Sequence, residues 1–105
     1  MVEVTWTARA RKDLDGISAY LAEGSPYYAQ QTEWGIFQRA IQLEKQPRSG
    51  HPAKEIGDPT VRKIGYGRYR MIDWLSDPGH IAFVAVVHSG RNMTRSALRS
   101  RRKEK

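Results

Sequence analysis

Arg68 and Arg70, two residues apart in the stretch GYGRYRMIDW, are the groups whose chemistry asks for an explanation first. Arginine keeps its charge at every working pH and presents a flat fork of donors matched to phosphate or carboxylate oxygens. Strand alternation puts Arg68, Arg70, Ile72 and Trp74 on one face and Tyr69, Met71, Asp73 and Leu75 on the other. Arg70 then lies within an apolar face and calls for an anion. That anion is either a bound target or an internal carboxylate, with Asp73, Asp58 and Glu55 as candidates, while Arg68 in the turn is free to meet a target. The three histidines are His51 in a loop, His80 in a turn and His88 at a strand end. His88, followed at once by Ser89-Gly90-Arg91, has the side chain of a general acid or base near neutral pH, or of a strand-ending residue bonded to backbone. No spacing brings the histidines together, so no metal site is expected.

Other chemistries fall away. The chain has no cysteine, which removes disulfides and thiolate metal sites, and it has no GxGxxG, GxxxxGK[ST] or HExxH motif. No cofactor is expected. The 105 residues suit one domain, and the longest apolar run, Ile81 to Val87, is far short of the roughly 20 residues of a membrane-spanning helix. A cytoplasmic protein without a membrane role is the expectation. The net charge is +7. Residues 1–90 hold 11 basic and 10 acidic groups, whereas residues 91–105 hold 7 basic groups against Glu104 alone. The basic character is therefore a tail, which either attracts polyanions with a salt-sensitive affinity or serves as a solvated end. Arg91 and Arg95, at its start, join Arg68 and Arg70 as candidate anion-binding or target-binding residues.

These groups need elements to hold them. Val2, Val4 and Trp6 alternate with Glu3 and Thr5, which predicts a first strand. Thr7 is an N-cap for a helix running to about Glu23, with Ala10, Leu14, Ile17 and Leu21 on one face and Gly24 as its stop. Ser25-Pro26 restarts a helix that reaches about Lys45, before Pro47. Its broad apolar stripe, Trp34, Ile36, Phe37, Ala40, Ile41 and Leu43, predicts packing against both the first helix and a sheet. Pro47 to Thr60 reads as a loop crossing one face of the domain, and three strands follow: Val61 to Tyr66, Tyr69 to Leu75 and Ile81 to His88. The result is an α+β domain, β-α-α-β-β-β, with a helical hairpin on a small antiparallel sheet, spanning 1–92, and a basic tail at 93–105. The second sheet face then meets solvent, the loop, the tail or a partner.

With the residues in this order, the chain resembles the ParE branch of the RelE/ParE toxins of bacterial type II toxin–antitoxin systems. The resemblance rests on Ala10, Asp13-Leu14, Ile17 and Tyr20-Leu21-Ala22; on Pro26; on Pro47-Arg48-Ser49-Gly50-His51-Pro52 and Ile56-Gly57-Asp58-Pro59; and on Tyr69-Arg70-Met71-Ile72 and Val86-Val87-His88. It implies a growth-arresting toxin, held in a hetero-oligomer by a cognate antitoxin that covers its apolar surface. In the ParE branch the target is DNA gyrase, and the protein is an inhibitor without catalytic residues. RelE relatives instead cut mRNA on the ribosome without a metal, using a strand arginine, which falls on Arg70, and another after the last strand, which falls on Arg91. They also use a tyrosine shortly beyond. Here Arg91 is followed by Asn92-Met93-Thr94-Arg95-Ser96-Ala97-Leu98, with no tyrosine, so the alternative set is Arg70, Arg91 and His88. The resemblance implies no particular antitoxin-binding residues. A third alternative is a non-toxic member that only binds its antitoxin.

Overall fold

The structure is a computed structural model and describes residues 2–54 and 56–88. β1 (Glu3–Trp6) alternates exposed and half-buried residues, as its sequence pattern requires. Thr7 then caps α1 (Ala8–Gly24), its hydroxyl accepting the Ala10 N–H at 3.1 Å. The helix does not stop before Gly24 but includes it, because Ser25 supplies the ending. Its extended backbone (φ −159°) turns the chain, its N–H is donated to the Leu21 carbonyl, and its hydroxyl accepts the Tyr28 N–H at the start of α2 (Pro26–Lys45). One residue thus ends one helix and begins the next. Pro26 sits at the first turn of α2, where the missing N–H costs nothing.

After α2 the chain makes a two-residue strand, β2 (His51–Pro52), inside the stretch expected to be only loop, then β3 (Val61–Tyr66), β4 (Tyr69–Asp77) and β5 (His80–His88). The sheet order is β1-β5-β4-β3-β2. The α+β class and the element order stand, but the sheet is mixed rather than antiparallel throughout. β1 pairs with β5 in parallel, Val4 opposite Ile81 and Trp6 opposite Phe83, while the later pairs are antiparallel. The chain between this parallel pair runs through the helical hairpin and then β2, β3 and β4, so the first strand docks beside the last.

Both faces of the sheet are covered, by different means. Leu14 and Ala10 of α1 and Ile36, Ala40 and Leu43 of α2 bury against Ile64, Met71, Ile81 and Phe83 on one face. On the other, Ala53 and Ile56 of the 53–60 loop close over Val61, Ile72, Val84 and Ala85. The loop is therefore the second layer. A register shift after Ile72, which faces Ala85 while Asp73 faces Phe83, leaves Val84 as an extra residue in β5, so Val84 and Ala85 both join the loop-side core. On the helix side Tyr66 lies directly over α2 at Gly35, where a Cβ would come within 2.0 Å of its ring.

Candidate functional site

The hairpin between β3 and β4 turns on Gly67-Arg68, and Gly67 adopts φ +57°, a left-handed conformation suited to the first residue of a two-residue loop. Arg68 is exposed there. Arg70 is half-buried and faces the loop side, since its neighbours Tyr69 and Met71 belong to the helix-side core and Ile72 to the opposite one. It lies between Gly65 of β3 and Val87 of β5.

Two of the three internal carboxylates offered for Arg70 lie away from it. Asp73 projects to the helix side and sits opposite Arg62. Asp58 accepts the Thr60 N–H and hydroxyl at 2.9 and 2.7 Å, holding the loop turn. Glu55 lies outside the described residues. Among the described residues no carboxylate pairs with Arg70.

Asp73 forms a site that the arginine pattern did not point to. It is 3% exposed, Oδ1 has no hydrogen-bond partner among the described residues, and burial raises its pKa from 3.8 to about 6 even though Arg62 pulls it down. Arg62 is occupied by holding the end of the α2–β2 connection, donating from Nη2 to the carbonyls of Gly50 (2.5 Å) and Arg48 (3.3 Å). A cleft of about 680 Å³ between this connection and the start of β5 is lined by Asp73, Arg62, Arg48 and Leu75. Asp73, one of the three carboxylates offered for Arg70, lies on the opposite face of β4 from it and faces Arg62 instead.

The histidines separate. His80 is tied into structure, with Nε2 2.8 Å from Thr5 Oγ1 and Nδ1 2.7 Å from Ser76 Oγ. His51 is exposed in β2. His88 is exposed with its ring edge-on to Tyr69, centroids 5.7 Å apart, on the helix side near Lys12, Asp13 and Tyr20 of α1. Arg70 and His88 therefore project from opposite faces of the sheet. Arg91 and Arg95 lie outside the described residues. No group of three potential metal ligands occurs among the described residues, and none of their helices is long and apolar enough to cross a membrane.

Sequence reasoning missed an exposed apolar wall. Half of the α2 stripe is buried as expected, but Trp34 is 63% exposed, Ile41 51% and Phe37 38%. Phe37 stands edge-on to Trp6 at 5.5 Å, and these residues border a groove of about 390 Å³ between α2 and β1. The signal was present in the width of the stripe, which exceeds what one sheet and one helix can cover. Aromatic groups left outside a small domain mark a surface that another molecule covers.

Comparison with known proteins agrees with this architecture. The family model described as the ParE toxin of the type II toxin–antitoxin system parDE matches residues 4–93. A solved structure described as the chromosomal ParDE TA system from P. aeruginosa superposes with a TM-score of 0.67 at 20% identity, covering 84% of this chain and 96% of that one. At that identity the likeness is one of fold. A search of curated proteins returned no match.

Proposed function

The chain belongs to the ParE toxin family of type II toxin–antitoxin systems, and on that footing we propose that it arrests growth in the cytoplasm by inhibiting DNA gyrase and is neutralised by a cognate antitoxin in a hetero-oligomer. The observation that carries this reading is the family match along residues 4–93. The geometry of two surfaces supports it. Metal-free RNA cleavage needs a base, a phosphorane-stabilising cation and an acid converging on one phosphate. Arg70 and His88, from opposite faces, supply no such pair, so an inhibitor fits better than a ribonuclease. The exposed Trp34, Phe37 and Ile41 suit an antitoxin that covers them.

In this reading Arg68 and Arg70 contact an anionic part of the target, and Arg91 and Arg95 of the basic tail add salt-dependent attraction. The test is purified gyrase with ATP and relaxed plasmid. The toxin blocks supercoiling or traps cleaved DNA, and added antitoxin restores activity. Gyrase unaffected at large molar excess, together with mRNA cut in induced cells, refutes inhibition in favour of the ribonuclease. Soluble, induced protein with no effect on growth refutes toxicity.

A further inference from the structure

Charge is unevenly spread over this chain, and the helical hairpin is its exception. From Asp13 to Gln38 a protein of net charge +7 has no lysine, arginine or histidine, and it has four carboxylates: Asp13, Asp15, Glu23 and Glu33. Two of them serve the fold. Asp13 accepts the Val86 N–H at 3.0 Å, and Glu33 accepts the Ser18 hydroxyl at 2.9 Å. Asp15 and Glu23 are exposed, and Glu23 stands at the end of α1, whose last turn holds no basic residue.

The same corner carries aromatic rings outside both cores. Tyr20, near the end of α1, and Tyr28, in the first turn of α2, are exposed and flank a groove of about 420 Å³ that Leu21 and Glu23 also line. Ser25, which ends one helix and caps the other, sets the spacing of the two tyrosines. Each ring face attracts a cation, and a carboxylate beside the rings adds to that attraction. Leu21 gives the methylene stem of a long side chain something apolar to lie on. An anion is repelled here, and a neutral apolar group would leave Glu23 unused. Arginine uses every part, because its planar guanidinium stacks on aromatic faces, forks onto a carboxylate and is more weakly hydrated than an ammonium.

We propose that this groove is a docking site for an arginine side chain carried on an exposed basic segment of a partner protein, with the guanidinium on the faces of Tyr20 and Tyr28 and its fork toward Glu23. The residues belong neither to the α2 wall nor to the Arg68–Arg70 hairpin, so the site stands whether or not gyrase is the target. Charge also selects where such a partner lands, since the remainder of the chain is strongly basic and turns a basic segment away. The competing occupant is the chain's own basic stretch, residues 91–105.

The test is an NMR titration of the full-length protein at low salt with the blocked peptide Gly-Arg-Gly-Arg-Gly. The ring resonances of Tyr20 and Tyr28 shift to saturation, and the affinity falls as salt is raised. Glu23→Gln and Tyr20→Leu, both at exposed positions, each weaken binding about two- to fivefold, and together about tenfold, with unchanged circular dichroism spectra. The matching lysine peptide binds about half as tightly or less, and a glutamate peptide leaves the rings unmoved. An arginine peptide that shifts neither ring, or an affinity untouched by Glu23→Gln, overturns the proposal. A lysine peptide that binds as tightly overturns the choice of arginine. Arg99→Gln with Arg101→Gln in the full chain, if it moves both ring resonances with no peptide present, overturns the proposal in favour of the chain's own basic stretch.

Discussion

Replacing Asp73 by Asn stabilises this protein, and the gain depends on pH in a way that identifies its cause. The carboxyl is 3% exposed, its pKa is raised from 3.8 to about 6, and desolvation outweighs the attraction of Arg62. A folded-state pKa above the unfolded value means that the native state holds its proton more tightly. The contribution of Asp73 to stability is therefore fully present below pH 3.8 and is lost as pH rises through about 6. A shift from 3.8 to about 6, at about 1.4 kcal/mol per pH unit, makes the ionised form cost about 3 kcal/mol above pH 7. Asn keeps the shape and never ionises. Urea denaturation of both proteins from pH 3.5 to 8 gives a stability difference near zero at the acid end, rising between pH 4 and 6 to at most about 3 kcal/mol in favour of Asp73→Asn. Taking the difference cancels the other carboxylates, which are common to both proteins. A difference that is constant with pH, or one that increasingly favours the native Asp73 as pH rises, refutes the balance of desolvation over attraction.

Three further substitutions probe the frame around the surfaces. Gly35→Ala drives a methyl group into the Tyr66 ring and destabilises by about 1–3 kcal/mol despite the better helix propensity of alanine; thermal denaturation of the double variant with Tyr66→Ala recovers part of the loss. Ser25→Ala removes the hydroxyl that caps α2 and costs about 1 kcal/mol in urea denaturation. Arg70→Ala, at a half-buried side chain without a carboxylate partner among the described residues, weakens gyrase inhibition about tenfold or more, the worth of one charged hydrogen bond; the melting temperature stays nearly unchanged. An equal loss of stability and inhibition would show that Arg70 holds the fold instead.

Local signals were the readable ones. Thr7 and Ser25-Pro26 announced both helix starts because a cap acts within three residues of itself, and the alternation of β4 placed Arg70 on the face that it occupies. What escaped were choices between distant segments. Parallel pairing of β1 with β5 joins residues almost 80 positions apart, such as Glu3 and His80, and no periodicity within either strand encodes it. Likewise, Arg62 becomes the neighbour of Asp73 only through the β3–β4 register, which the pattern within β4 does not contain. In α2 the stripe was visible, but the share of it that the domain itself covers was not. Apolar residues destined for a partner and those destined for the core are chemically alike, and only the packed structure separates Ile36 from Ile41. Of the candidate site, Arg91 and Arg95 lie outside the described residues, and the sequence pattern did not anticipate that Arg70 and His88 would part company across the sheet.

The single-residue connection at Ser25 makes the helical hairpin a stiff paddle. A conventional loop would let the helices slide or splay under load, but here the last hydrogen bond of one helix and the first cap of the next belong to the same residue. Tyr27 and Tyr28, 71% and 52% exposed just past this corner, are accordingly held out on a rigid tip. A protease that needs a slack segment of chain finds none there, and a residue inserted beside Ser25 separates the two caps from each other.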